Sequence, residues 1–348
     1  MSKISNAMAS PESLRPLRRK SFSLGEFKNM KFPEDTPLLG TVITRGSSGC
    51  LAAPRGLGKS ILALHIGYAV AAGKRLNPWG QGIGGKVVYL DGEMKANTLK
   101  KRLRQIQGGD SHESKRQLAD ENLHIIGRDA FEHVIGHIDD EEDQKFIESM
   151  LPDDCCLLIV DNLSAWTSSA REDGAAFAPI KRWLIRLRTK GIAVLLIHHT
   201  GKTGSTQRGT SIHEDLLDYS ILLREDKAEK PKNGTSFLLE HTKLRELHED
   251  MPEVCRYTFT TDFKTNVMTH CYEADPGQAF TAEEDSVIGL LKDGWQGKDI
   301  ATKFPSFNAS KVTRLKQRLP RDVQTAIEEA QKSKGKPSVS QEAGGEPS

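Results

Sequence analysis

The 348-residue chain has no apolar run long enough to span a bilayer, and its first residues lack the apolar core of a signal peptide. It has only five cysteines, at 50, 155, 156, 255 and 271. That odd number, without a C-x-x-C pair and with two adjacent members in an apolar run, makes neither a disulfide framework nor a zinc site. Charge of one sign is missing too: 49 Lys and Arg against 47 Asp and Glu leave a net +2, so any nucleic-acid footprint must be local. Aromatic residues are 6% of the chain and charged residues 28%, a composition suited to a globular protein with polar tails. These absences argue for a reducing, cytoplasmic setting without a membrane partner.

What the chain does contain is Ala53-Pro54-Arg55-Gly56-Leu57-Gly58-Lys59-Ser60, a phosphate-binding loop between an apolar strand at 49–52 and an apolar helix at 61–72. Such a loop turns its backbone N–H groups inward onto a polyphosphate. Pro54, Arg55, Gly56, Leu57 and Gly58 would form the cradle. Lys59 would reach the β- and γ-phosphates of ATP, and the Ser60 hydroxyl would hold Mg²⁺. The usual pattern opens with Gly, where this chain has Ala53. Gly56 and Gly58 still give the loop its freedom at positive φ, so the variant is tolerated. Gly73 is placed to cap the helix.

Downstream, strands and helices alternate: a buried strand at 86–91, a basic amphipathic helix at 94–107, strands at 123–126 and 155–160, a helix at 177–190 and a strand at 192–197. Alternation of this kind predicts a doubly wound, mostly parallel α/β sheet. Four consecutive antiparallel strands then follow near 219–223, 236–242, 255–260 and 266–272, with a charged loop at 225–233 between the first two. Residues 1–35, with Arg15, Arg18, Arg19 and Lys20, read as a disordered basic leader. An ATPase domain is expected over 36–275, a helical module over 280–320 and a disordered tail over 321–348.

Open α/β sheets place their sites at strand ends. Glu93, after Leu90-Asp91-Gly92, can orient and deprotonate an attacking water, although a turn Glu is often merely solvated. Asp161 ends the apolar strand Leu157-Leu158-Ile159-Val160, a Walker B pattern that would bind Mg²⁺ through water. His198 and His199 point to opposite sides of their strand, so one of them can face the γ-phosphate. His199 is preferred as a sensor, with His198 as a hydrogen-bonded core residue. Lys243 and Arg245 leave one side of a strand end, from which they could reach a neighbouring subunit's nucleotide. A charged strand end explains them equally well from local sequence.

The order of these motifs resembles the RecA-type ATPase core. Within that superfamily, Ile197-His198-His199-Thr200-Gly201-Lys202 followed by Gln207-Arg208-Gly209-Thr210-Ser211 is similar to the RepA-type hexameric helicases of broad-host-range plasmids. The resemblance covers roughly residues 38–272. It implies a ring of subunits, a hexamer, hydrolysing ATP with Mg²⁺ on single-stranded DNA within a plasmid, phage or mobile-element replication system, with other replication proteins as partners. It implies hydrolytic roles for Lys59, Ser60, Glu93, Asp161 and His199, a pair supplied in trans in Lys243 and Arg245, and a DNA-facing loop at 203–209 that includes Arg208. A non-unwinding DNA-dependent ATPase, such as a loader or recombination mediator, is the nearest alternative. The helical C-terminus departs from the family pattern. Ile300-Ala301 followed by Ser310-Lys311-Val312-Thr313-Arg314-Leu315-Lys316 resembles a helix-turn-helix, whose third helix would offer Lys311, Arg314, Lys316 and Arg318 to DNA. Three-helix units also dock proteins, and a nucleotide-switched DNA-binding regulator is the third reading.

Overall fold

The computed structural model describes residues 21–31, 35–130, 136–168, 174–200, 216–226, 230–246, 251–274, 282–317, 319 and 321–334. The chain divides into two units, 1–36 and 37–348. In the first, the segment read as leader carries one short helix, α1 (Leu24–Lys28). It is a single turn closed by a capping box, in which the Ser23 hydroxyl accepts from the Glu26 N–H at 3.2 Å and the Glu26 carboxylate accepts from the Ser23 N–H at 2.9 Å. The Arg and Lys cluster at 15–20 lies outside the described residues.

The second unit opens with the hairpin strands β1 (Pro37–Leu39) and β2 (Ile43–Thr44), then β3 (Ser48–Ala53), the phosphate loop and α2 (Lys59–Ala72). Gly73 caps α2 with φ 61°, as its position predicts. A small antiparallel pair, β4 (Arg75–Leu76) and β5 (Gly80–Gln81), occupies the Gly-rich turn. There follow β6 (Val87–Asp91), α3 (Ala96–Gly108), α4 (Glu113–Asn122), β7 (Leu123–Gly127), α5 (Glu141–Ser149), β8 (Leu157–Asp161), α6 (Leu163–Trp166), α7 (Gly174–Thr189) and β9 (Ala193–His199). The antiparallel extension is β10 (Tyr219–Glu225), β11 (Gly234–Leu244), β12 (Val254–Asp262) and β13 (Val267–Ala274).

Nine of these strands form one sheet in the order β13-β12-β11-β10-β3-β9-β8-β6-β7. From β10 to β7 every pairing is parallel, and from β10 to β13 every pairing is antiparallel. This is the doubly wound, mostly parallel sheet that the alternation predicts, carrying the expected antiparallel extension on one edge. Its central strands β3, β6 and β8 are buried at every position and apolar except at their ends, because both faces are covered. Tyr89, Ile159, Leu195 and Ile197 pack with α2 and the aromatic residues Phe237, Tyr257 and Phe259 of the extension. Their strand neighbours Val88, Leu90, Leu158, Val160 and Leu196 pack on the other face with Trp166, Trp183 and Leu187. Period-two alternation thus divides one set of strands between two cores.

The C-terminal helices α8 (Ala282–Lys292), α9 (Gly297–Lys303), α10 (Ala309–Gln317) and α11 (Arg321–Lys334) share a separate core of Val287, Leu291, Ile300, Val312, Leu315 and Ile327. The last helix corrects the expected tail: 321–334 is helical, and Ile327 is fully buried.

Within α2, His65 is 6% exposed and packs at a tilt against Phe259, with ring centroids 4.7 Å apart, and edge-on against His270 at 5.1 Å. Burial drags its pKa from 6.5 down to about 3, and the neighbouring His270 and Lys74 add to the effect. The unfolded chain therefore binds a proton that the folded chain refuses. Stability from this residue is complete above pH 6.5 and drains away as pH falls toward 3, at about 1.4 kcal/mol per unit. Denaturant unfolding between pH 6.5 and 5 should show that slope, flattened in His65→Leu. An equal slope in the variant would show that the acid sensitivity lies elsewhere.

Candidate active site

The site is built where β3, β6, β8 and β9 end together. Ala53 closes β3 fully buried, and Gly56 and Gly58 turn the loop with φ of 79° and 98°. A side chain at Gly58 would meet the Phe237 ring at 3.0 Å and the Thr235 methyl at 3.1 Å, so the start of β11 holds the loop against the sheet. Lys59 is 5% exposed and donates from Nζ to the carbonyls of Ala53 and Pro54, each at 2.8 Å. Burial lowers its pKa to about 8, against the opposing pull of Asp161 and Glu93. An ammonium held inside the loop on its own carbonyls is placed for a polyphosphate, whose charge would offset that burial.

Asp161 is buried at the end of β8 and accepts hydrogen bonds from the Ser60 hydroxyl and from Tyr89 Oη, the latter at 2.5 Å. Burial raises its pKa. Two oxygen donors brought together beside the loop are the ligand chemistry of a hard cation, so Ser60 and Asp161 fit Mg²⁺. Asp91 stands in register with Asp161 on the neighbouring strand, and burial together with that carboxylate pushes it up to about 7. Its Oδ2 accepts from the Met94 N–H at 2.9 Å, while the Gly92 N–H donates to the Asp161 carbonyl at 2.7 Å. These two bonds fix the turn that carries Glu93. Gly92 is required there, since a Cβ would lie 2.8 Å from Trp166 Nε1 and 2.7 Å from the Ala165 methyl.

Glu93 is half exposed, with Oε1 3.5 Å from His199 Nε2. Burial alone would raise its carboxyl, but hydrogen bonds from Asn162 and His199 and the charge of Arg55 hold it below the usual range. Asn162 also bonds His199, with Nδ2 3.1 Å from the same ring nitrogen. His199 Nε2 can donate to Glu93 or accept from Asn162, and a neutral ring does only one at a time. Burial and the nearby Lys59 lower the His199 pKa, which favours that neutral ring. His198, one residue earlier, is buried at 5% exposure on the other side of β9.

Lys243 and Arg245 are not at this cluster. Lys243 pairs in register with Ser220, which is level with Cys50, so the end of β11 lies at the start of β3, away from the loop. Arg245 Nη1 is 3.1 Å from Asp218 Oδ1, and Asp218 also holds Arg188 at 2.6 Å and the Ser48 N–H at 2.8 Å. Arg208 and the rest of 203–209 lie outside the described residues, as do Arg318 and the side chain of Arg314. Lys311 is exposed, with Nζ on the Ser306 carbonyl at 2.7 Å. Lys316 turns instead to Gln331 of α11 at 2.7 Å.

Tyr89, Asp91 and Asn162 join the site without having been singled out. Asp91 could have been found, because it ends its strand as Asp161 does. Asn162 follows Asp161 directly, but nothing local says that it reaches across to His199.

A phosphate loop, an acid at the end of β8 and a carboxylate–imidazole pair one strand to either side define a P-loop ATPase. The sequence matches the AAA domain family over residues 13–205, more than half its length, and the chain belongs to that family. Among solved structures it is similar to a DnaB-like replicative helicase described with its interactions with primase, at 14% identity, 65% coverage of this chain and a TM-score of 0.45. The match spans 57% of that helicase. It is also similar to a KaiC-like protein from the archaeon Pyrococcus horikoshii OT3, at 17% identity, covering 66% of this chain and 91% of that one, with a TM-score of 0.44. No curated protein matches. Among the described residues, no helix is long and apolar enough to cross a membrane.

Proposed function

We propose that the chain is an ATP-hydrolysing motor on single-stranded DNA, working as a ring of subunits, a hexamer, in the replication of a plasmid, phage or other mobile element. The observation that carries this reading is the contact of Glu93 with His199 and Asn162 beside the phosphate loop. Glu93 is ionised at neutral pH and takes the proton of the attacking water. Lys59 holds the β- and γ-phosphates. Ser60 and Asp161 would hold magnesium, which would supply neutralisation of phosphate charge. His199 reports the state of the site by exchanging its bond to Glu93 for one to Asn162, and β9 leads directly from it to the segment containing Arg208. That segment, residues 203–209, is the proposed DNA-facing loop.

Forked DNA separates the readings. Single-stranded DNA should stimulate ATP turnover, with the strong salt dependence of phosphate contacts, and strand displacement should accompany it in an assembly of hexameric mass. Stimulation without displacement would favour a loader or recombination mediator. Tight binding to one duplex site would favour the regulator, with Lys311 and Arg314 of α10 as its contacts. Turnover indifferent to nucleic acid would overturn the DNA-associated reading.

Lys243 and Arg245 are proposed to act on the nucleotide of a neighbouring subunit, since their own loop is at the other end of β3. Arg245→Ala should then cut turnover while each subunit still binds ATP. Mixed with Lys59→Ala subunits it should recover part of the activity, because one interface then pairs a sound loop with a sound arginine. Co-assembled mixtures without rescue would leave Arg245 as a partner of Asp218 alone.

A further inference from the structure

Helix α3 and the turn before it carry Lys95, Lys100, Lys101, Arg102 and Arg104, and residues 94–109 contain no acid. Arg102 folds inward, with Nη1 3.0 Å from the Met94 sulfur. Lys95, Lys100, Lys101 and Arg104 are exposed, and none of the ion pairs among the described residues involves them. Lys100 and Arg104 stand one turn apart, on the order of 6 Å along the axis, with Lys101 beside them. A row of unpaired cations at this spacing is the electrostatic footprint of a phosphodiester backbone.

Beneath this row runs a groove of about 420 Å³, the size of a small-ligand site. Met94, Leu99 and Leu103 form one wall, Leu123 and Ile125 of β7 the other, and Lys100 and Arg104 stand at the mouth. The polar groups on the groove include Asp120 and Asp129. Those carboxylates repel an acidic side chain but accept the amino groups of a neutral base. Apolar walls, carboxylate acceptors and a cationic mouth together select an unstacked nucleotide over an acidic peptide.

We propose that α3 and this groove form a second contact for single-stranded nucleic acid, with phosphates on Lys100, Lys101 and Arg104 and a base between α3 and β7. The inference rests on the reading of the chain as a single-strand-binding protein. It adds a site on the other side of the Glu93 turn from the phosphate loop, because Met94 is at once a wall of the groove and the partner of Asp91.

The test uses the full chain and a single-stranded oligonucleotide carrying 2-aminopurine. Binding is followed by anisotropy from 50 to 200 mM salt and base unstacking by 2-aminopurine fluorescence. Removing three phosphate contacts in Lys100→Gln/Lys101→Gln/Arg104→Gln should flatten the log–log salt slope by about 2, so that its affinity loss over that range is roughly 20-fold smaller than the parent's. Leu103→Trp, which fills the groove and keeps the cations, should abolish the fluorescence rise and leave the slope unchanged. Basal ATP turnover should be the same in both variants. Parental binding with an unaltered slope in the triple variant overturns the α3 site and leaves the DNA-associated reading standing. A parent that binds no single-stranded DNA at 50 mM salt overturns both. A triple variant that loses a polyglutamate peptide but keeps DNA assigns the face to acidic protein.

Discussion

Lys59→Ala is expected to reduce ATP turnover to background by removing nucleotide binding. The ammonium is enclosed by the loop, where two loop carbonyls at 2.8 Å hold it. Among the described residues, no neighbouring cation is placed to substitute for it. Arg55 is exposed, and Arg245 is committed to Asp218 at the far end of the sheet. The fold should survive, because α2 is secured by the buried Leu62, Leu64, Ile66 and Val70 rather than by Lys59. Calorimetric titration with ATP, alongside thermal unfolding of parent and variant, separates the two. A folded variant with parental turnover would remove Lys59, and with it the phosphate loop, from the mechanism.

The second large effect is expected from Glu93→Gln, with the opposite signature in binding. The amide keeps the size and much of the hydrogen bonding of the carboxylate, so ATP should bind as before. Without a base to take the water's proton, the chemical step should slow by about 10²–10⁴-fold. Single-turnover hydrolysis measured beside equilibrium ATP binding reads both quantities. Parental hydrolysis in Glu93→Gln would move the base elsewhere, and Asp91, whose pKa of about 7 suits proton transfer, would be the next residue to test.

The parts of this chain legible in its sequence are those where one local rule suffices. The strand–loop–helix at 48–72 was legible because glycines needing positive φ stand between two apolar runs. So were β8 and β9, whose burial on both faces leaves unbroken apolar segments. Helices α4 and α5 were not, because each buries little of itself. Ala119 is the one buried residue of α4, and α5 buries Gln144 beside Ile147, which leaves no apolar period to detect. Helix α11 was missed for a related reason. Val323 and Ile327 stand four apart, but Lys, Glu and Gln surround them, and the composition reads as tail. In the site, Lys59, Asp161 and Glu93 were readable from motifs, whereas Asn162 gains its role from the β8–β9 pairing, a tertiary fact. The placement of Arg245 is tertiary too, since it depends on the direction in which β11 returns.

The chain leaves the sheet at Thr200 and re-enters it at Asp218. Both points are fastened to the same strand: the Thr200 N–H donates to the carbonyl of Ala53 at 3.0 Å, and the Asp218 N–H donates to that of Ser48 at 2.7 Å. These are the last and first residues of β3, and β9 and β10 lie on either side of it. A tug on residues 201–215 is therefore borne by the strand that ends in the phosphate loop, along both edges and at both ends. That strand is the one that runs into the phosphate loop at Ala53.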